Sequence, residues 1–370
     1  MLEFLKSNKN RFVGIDFGTS SIKVVELSYK DQKVFLENYG FVDLKQNVGE
    51  KQNIDPKKHF YEQKMAEAIK KLVEMMDLKS KSAYVSIPGF SGLITIIELP
   101  EMENDELAKA IQFEAHKYIP SSLDEIAMSW EIIEHISDTS TLSSQMPDVG
   151  GIKGKKIKVL LVAAPKKDVE RFERLLGETN VNVAAIELET FSIVRSLIND
   201  DAGNFLIIDI GSRATNIILV EKGVVVVNRN IDAGGNEITS TISESMNISK
   251  QRGEDLKKGE KDFLNSNESR LVIPILEFIA SESKRILDAY KIKNKNIRID
   301  GVLLSGGTSK MKGLEQYLSN FLKMDVKVAD PWRRIMIKDN NVAALIKRLG
   351  GSFTVALGLA LRGAEEYKRK

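Results

Sequence analysis

One pattern occurs twice in this chain and limits what it can fold into. The first copy is Gly14-Ile-Asp-Phe-Gly-Thr-Ser-Ser-Ile-Lys-Val-Val-Glu-Leu27, and the second is Ile207-Ile-Asp-Ile-Gly-Ser-Arg-Ala-Thr-Asn-Ile-Ile-Leu-Val220. In each, an apolar run ends on an aspartate, a glycine follows two residues later, then a hydroxyl, then a second run that alternates like a returning strand. The spacing reads as strand, tight turn, strand. Asp16 and Asp209 are equivalent positions, 193 residues apart in a chain of 370. The simplest account is a duplicated domain with one hairpin in each half. A chain of this length also exceeds what a single hydrophobic core usually supports.

Around these hairpins the halves open alike. A third strand is expected at Val34–Leu44 in the first and Val224–Ile231 in the second. In the first half a helix follows, with apolar Phe60, Met65, Ile69, Leu72, Val73 and Met76, and then a strand Ala83–Ile87 stopped by Pro88-Gly89. From Leu93 to about Val181 the pattern of strand, helix, strand, strand, helix reads as an inserted α+β subdomain. Its central stretch, Ser137–Lys156, is rich in Ser, Thr, Gly and Lys and is expected to be a surface loop. A short strand at Val183–Ile186 and a helix at Glu189–Ile198 return the chain to the core. In the second half a helix is expected at Gly235–Met246, a charged stretch at Lys250–Lys261, and a long helix at Ile273–Tyr290. The buried strand Gly301–Leu304 then runs into Ser305-Gly-Gly-Thr308. The last helix carries Ala356, Gly358 and Ala360, small residues that permit close helix packing, and its expected neighbour is the Glu189–Ile198 helix.

Composition narrows the chemistry. With 54 basic against 52 acidic residues the formal charge is +2, so no large single-sign field points to nucleic acid or anionic lipid. There is no cysteine, which removes thiol nucleophiles and disulfides, and the three histidines are far apart. The N-terminus lacks the apolar centre of a signal peptide, and a cytoplasmic location is expected. Met1, Leu2, Phe4 and Leu5 followed by Lys6, Lys9 and Arg11 read either as a short membrane- or partner-touching element or as a frayed end.

Glycine and hydroxyl residues directly after a buried strand let backbone N–H groups approach a phosphate. Gly18, Thr19, Ser20 and Ser21 form one such turn, and Gly211, Ser212 and Arg213 the other. Two copies in register imply one ligand whose phosphates are clamped from both sides. Asp16 and Asp209 would then face each other across it, tolerable only with a hard cation between them, for which Mg²⁺ held mostly through water is expected. Lys23 and Arg213 read equally as phosphate-neutralising or solvated side chains. The glycine pair in Leu304-Ser-Gly-Gly-Thr308 offers bare backbone for a flat purine, or simply an αβ turn that needs a left-handed residue.

This trio of motifs resembles the superfamily of ATPases that includes actin, the heat-shock chaperones and hexokinase. Within it, the GIDFGTSSIKVVEL hairpin, Val85-Ser-Ile-Pro-Gly89, Glu98-Leu-Pro100 and Phe113-Glu-Ala-His-Lys-Tyr-Ile-Pro120 are similar to the PilM family of type IV pilus assembly proteins. The cell-division protein FtsA shares the insert position but differs in its first loop and in its C-terminal membrane helix. The resemblance implies an α/β fold of actin-like, duplicated ribonuclease H-like lobes with an α+β insert in the first. The division expected is 1–88 with 182–200 for lobe 1, 89–181 for the insert, 201–248 with 296–370 for lobe 2, and 249–295 for a helical subdomain of lobe 2.

The same resemblance implies ATP and Mg²⁺ as cofactors. Phosphate contacts would come from Gly18, Thr19, Ser20, Ser21, Lys23, Gly211 and Ser212, with Asp16 and Asp209 at the metal. Gly306, Gly307 and Thr308 would contact adenosine, Glu254 and Lys257 the ribose or adenine, and Gly234 and Gly235 the sugar. Glu187 is the candidate to orient a water, although the second loop has Ser212-Arg213-Ala214 where chaperones have glycines, so slow or absent turnover is expected. The implied partner is the cytoplasmic tail of PilN, in a complex peripheral to the inner membrane with the pilus assembly ATPases and platform. The competing readings are a sugar or metabolite kinase of the same superfamily and an FtsA-like filament-forming protein.

Overall fold

The computed structural model describes residues 10–44, 57–119, 122–136, 155–199, 201–266, 270–294 and 297–369. The N-terminal Met1–Leu5 cluster and residues 137–154 of the expected loop lie outside them. The chain divides into two compact units, Met1–Phe90 with Glu170–Lys370, and Ser91–Val169.

The first unit holds two sheets built the same way. Strands β1 (Arg11–Phe17), β2 (Ser21–Lys30) and β3 (Lys33–Asp43) form an antiparallel meander, and β4 (Ser82–Ile87) and β8 (Asn182–Leu188) add in parallel on the far side of β1. In the second sheet, β9 (Asn204–Ile210), β10 (Thr215–Glu221) and β11 (Val224–Ile231) form the meander. There β12 (Gly301–Ser305) and β13 (Val326–Val328) are the parallel additions. The strand orders β3-β2-β1-β4-β8 and β11-β10-β9-β12-β13 are therefore equivalent. A two-residue strand from the second half, β14 (Ile335–Met336), extends the first sheet beside β3. β1 and β9 are buried nearly throughout because each is the parallel–antiparallel junction of its sheet, covered on both faces.

The helices that close these sheets bury aliphatic stripes. Over the second sheet, α5 (Gly235–Met246), α6 (Lys250–Lys258), α7 (Pro274–Lys293) and α8 (Leu314–Leu322) are among the elements around one core, in which Ile208, Ile217, Ile238, Leu276 and Leu304 are fully buried. On the first sheet lies α1 (Lys57–Met76), and Phe172 of α3 (Lys166–Leu176) packs its ring 5.2 Å from that of Phe17. Strands of both sheets contact α4 (Glu189–Leu197), which also packs against the last helix, α10 (Thr354–Lys368), preceded by α9 (Asn340–Leu349).

The final helix, grouped by sequence with lobe 2, runs along β1, β2 and β4 of the first sheet and against α4. Small residues set both approaches. A Cβ on Gly14 would lie 2.0 Å from the carbonyl oxygen of Ala356, and one on Gly358 would lie 1.9 Å from that of Ser192. The segment Asn340–Lys368 is long and apolar enough to cross a membrane by length and composition, but most of its apolar window is buried inside the protein as core. The C-terminal carbonyls of α4 are held by arginines from the segment before β14. Arg333 donates to Leu197 O at 2.9 Å and Arg334 to Arg195 O at 3.0 Å.

The second unit is a three-stranded antiparallel sheet ordered β5 (Leu93–Pro100), β7 (Lys156–Pro165), β6 (Ile126–Ile136). The helix α2 (Asn104–Ala115) places Leu107, Ile111 and Ala115 in its core beside Ile97, Ile157 and Val159.

Candidate functional site

The two hairpins meet. Thr19 Oγ1 and Ser212 Oγ are 2.7 Å apart although they are separated by 193 residues, the same interval that relates Asp16 to Asp209. Equivalent residues of the two turns are therefore in direct contact, as expected where a local two-fold relates the halves. The turns are built alike: Phe17 pairs with Ile22 in the first and Ile210 with Thr215 in the second, so each aspartate stands one residue back from its turn.

The partner of each aspartate across its hairpin is also equivalent in position but not in chemistry. Asp16 pairs with Lys23, whose Nζ lies 3.2 Å from Asp16 Oδ2, and Asp209 pairs with Asn216. Lys23 is thus neither a solvated strand lysine nor a free cation over the turn; its ammonium is held on the first carboxylate. Arg213 goes the other way, to an exposed pair with Asp232 at 3.2 Å, the kind of surface pair that contributes little.

Asp209 is enclosed by its own sheet, with Ser305 opposite it on β12. Burial and the negative charge of Asp16 push its carboxyl up to about 6, against hydrogen bonds from Ser305 and Asn216. A third carboxylate shares this environment. Glu189, the first residue of α4, receives the Gly89 N–H at 2.8 Å and Asn216 Nδ2 at 3.0 Å. Burial, with Asp16 and Asp209 adding repulsion, raises it to about 7. Asp16, Asp209 and Glu189 are thus three carboxylates close enough to repel one another near the junction of the two glycine turns.

The ligand-free protein should lose stability as the Asp209 and Glu189 carboxyls ionise. Both groups have folded pKa values above their unfolded ones, so the folded state binds more protons between roughly pH 4 and 7. Stability is then greatest at the acidic end of that window and declines as pH rises through it. Thermal melts from pH 5 to pH 8 should show Tm falling by several degrees, with the decline suppressed in Glu189→Gln. A flat profile would show that these carboxyls are not destabilised by burial.

The remaining predicted residues of the second half converge beside the second turn. Gly235 N–H donates to Gly211 O at 2.9 Å and Asn236 N–H to Ser212 O at 2.8 Å, seating the start of α5 on the turn. Gly253 lets α6 pack onto α5, since a Cβ there would lie 2.1 Å from Ser243 Oγ. That packing brings Lys257 under the start of α5, where its buried Nζ donates to Gly235 O at 2.8 Å and Thr239 Oγ1 at 2.9 Å and pairs with Glu254 at 2.7 Å. Burial would raise Glu254, but Lys257, Thr239 and Lys258 together bring it down to about 2, so it stays ionised. A Cβ on Gly235 would meet Thr308 Oγ1 at 2.6 Å and Lys257 Nζ at 3.1 Å. Gly211, Gly235, Lys257 and Thr308 are therefore neighbours, and Gly234 is packed against Gly211 O and Ala214.

Gly306 has a structural reason for being glycine. Its φ is +85° and a Cβ would lie 2.4 Å from Ile210 O, at the end of the strand that carries Asp209. Gly307 is exposed, with Ser352 Oγ 3.7 Å from where a Cβ would stand. The short turn Gly350–Phe353, just before the last helix, was not singled out by sequence, yet Gly351 backs onto Gly306 and Ser305.

Glu187 is placed differently from its expected role. Both of its oxygens are bound within the core: Arg195 at 2.6 and 3.0 Å, Ser192 at 2.6 Å and Arg362 at 3.0 Å. Two guanidinium groups saturate it, and it anchors β8 to α4 and α10. Glu189, two residues on, is the carboxylate near the aspartates. The signal for Asn216 was present in the sequence, since it is the 193-residue equivalent of Lys23; Glu189 had none beyond starting a helix. Among the described residues no group of three or more His, Cys, Asp or Glu is arranged as a ready-made metal site.

Comparison with known proteins decides the family. A family model described as type IV pilus assembly protein PilM matches residues 14–364. The chain belongs to the PilM family. It is also 22% identical over 362 residues to the cell division protein FtsA of Bacillus subtilis, covering 88% of this chain and 80% of that one. FtsA of Streptococcus pneumoniae is 21% identical over 356 residues, with 86% and 75% covered. Among solved structures, the PilM-PilN type IV pilus biogenesis complex superimposes with a TM-score of 0.75 at 21% identity, covering 95% of this chain and 98% of that chain. The ethanolamine utilization protein EutJ from Carboxydothermus hydrogenoformans follows at 0.54 and 16%, with 95% and 89% covered. The fold of this PilM-family protein is actin-like, with mixed α/β sheets.

Proposed function

We propose that this PilM-family protein is a nucleotide-loaded scaffold of type IV pilus assembly, holding ATP and Mg²⁺ between its two sheets and binding the cytoplasmic tail of PilN. The observation that carries the nucleotide reading is the contact of Thr19 with Ser212, which sets two glycine-hydroxyl turns and two buried aspartates around one point. Gly18, Thr19, Ser20 and Ser21 would take phosphates from one side, and Gly211 and Ser212 from the other. Mg²⁺, when bound, would neutralise phosphate charge beside Asp16 and Asp209; two carboxylates suit an ion that keeps most of its water. Lys23 then acts by tempering Asp16 rather than by a separate phosphate contact. Lys257 and Glu254 brace the glycines next to the sugar, and Gly306, Gly307 and Thr308 present backbone to the base.

Glu189, rather than Glu187, is the carboxylate with the position and basicity to orient a water. It is also held by two donors in this state, which accords with slow or absent turnover. The PilN reading draws on the fold likeness to the PilM-PilN complex, and it places the protein in the cytoplasm, peripheral to the inner membrane through its partners, with the assembly ATPases and platform nearby. The lobe boundaries 1–88 with 182–200, 201–248 with 296–370, and 249–295 serve as working divisions for this reading, except that the last helix packs with lobe 1.

Purified protein is expected to carry ADP or ATP detectable by mass spectrometry, and stripped protein to bind ATP–Mg in calorimetry. A peptide of the PilN tail should bind the loaded protein more tightly than the stripped one. Protein that shows no heat with ATP–Mg has no such site, and one that binds nucleotide but ignores the peptide in both states is not a PilN scaffold.

A further inference from the structure

The chain leaves β4 through a turn that is held from the opposite side of the cleft. Gly89 donates its N–H to Glu189 Oε1 at 2.8 Å, and its carbonyl accepts from Asn230 Nδ2 of β11 at 3.0 Å. Asn216 Nδ2 of β10 reaches the same Glu189 oxygen at 3.0 Å, and Thr190 Oγ1 bonds Asn228 Oδ1 at 3.3 Å. Three asparagines of the second sheet therefore grip the first turn of α4 and the end of the first sheet. Gly89 is where the grip is tightest. A Cβ there would stand 2.6 Å from Asn230 Oδ1 and 2.8 Å from Asn216 Oδ1. Those two buried oxygens accept from no described protein donor, and face the Cα of Gly89, where only weak C–H contacts are available.

The chemistry of this grip suits something that opens. Its members are neutral amides, one hydroxyl and one carboxylate, with no cation, so each bond is individually weak, somewhat stronger where the carboxylate accepts. Gly89 lies two residues beyond the last residue of β4, Asn216 and Asn230 belong to the second sheet, and Glu189 bonds both Gly89 and Asn216. Phe90, the residue after Gly89, ends the first segment of the first unit, and β5 begins three residues later at Leu93.

We propose that the Gly89 peptide is a clamp that closes when a phosphate ligand bridges the two aspartate hairpins, so that occupancy of the cleft is transmitted to the chain where it enters residues 91–169. The proposal rests on the nucleotide reading above. It makes Asn230 a positioning residue that acts on Gly89 without touching the ligand.

Hydrogen exchange of the full-length protein, with and without ATP–Mg, tests this alongside calorimetry of the same samples. In the wild type, ATP–Mg should slow exchange of the amides of residues 89–92 by roughly tenfold or more. In Asn230→Ala, nucleotide affinity should stay within about threefold while that slowing shrinks to less than about threefold. Gly89→Ala, which forces a methyl against two carbonyl oxygens, should exchange fast at these positions in both states; if it does not fold, Asn230→Ala alone carries the test. Wild-type protein that binds nucleotide with no change at 89–92, or an Asn230→Ala protein that keeps the full change, overturns the clamp and leaves the cleft standing. Absence of any nucleotide binding removes the cleft and the clamp with it.

Discussion

Asp209→Asn is expected to move stability and ligand affinity in opposite directions. At pH 8 the native carboxylate is ionised although it is buried, beside Asp16 and within the influence of Glu189. The isosteric amide keeps an acceptor for Ser305 and Asn216 and removes the repulsion. Chemical denaturation of ligand-free protein should therefore show the variant more stable by about 1–2 kcal/mol at pH 8, the gain disappearing near pH 5 where the wild-type group carries its proton. If the proposed site holds, magnesium-dependent nucleotide binding should weaken by roughly a hundredfold, because one of the two carboxylates proposed to flank the cation has lost its charge. A site kept unstable for the sake of a ligand behaves this way. Loss of stability with unchanged affinity would instead make Asp209 a structural residue, and the shared-cleft reading would fall.

The second large effect concerns the helix that joins the halves. Gly358→Ala should destabilise the protein by about 2–4 kcal/mol, measured by urea unfolding, although alanine is the better helix former. The added methyl would stand 1.9 Å from the Ser192 carbonyl oxygen, and backbone cannot yield as a flexible side chain can. Nor can α10 back away, because its other side is seated on Gly14 of β1 at the Ala356 and Ala360 backbone. The same separation of α10 from α4 would disturb the Glu187 cluster, whose Arg362 is contributed by α10 and whose Arg195 also donates to Gly358 O at 3.1 Å. A variant as stable as wild type would mean that the two helices slide freely past one another.

The residues show why parts of this were legible beforehand. The hairpins announce themselves because a period of two, a terminal aspartate and a glycine turn are local facts, governed by backbone sterics within a dozen residues. Their repetition at an interval of 193 was enough to expect two related sheets and facing aspartates, and it makes Asn216 the equivalent of Lys23. The pairing of the Glu189–Ile198 helix with the last helix was readable from Ala356, Gly358 and Ala360, since small residues at helical spacing have few other uses.

Glu187 and Glu189 mark the limit. Both are glutamates at one strand-to-helix junction, and nothing within their neighbourhood separates them. Arg362, 175 residues downstream, claims the first; Gly89, 100 residues upstream, and Asn216 claim the second. The same holds for the last helix, grouped with the second half by chain order but laid on β1, and for β14, too short to show any period yet paired with β3 across the molecule. Sequence by itself determined the two hairpins, their duplication and which residue types stand at each turn, because those follow from short-range periodicity and backbone geometry. Tertiary structure alone decided which carboxylate faces the cleft and which is neutralised by arginine, because burial and charge pairing depend on neighbours that the chain brings together only when it has folded.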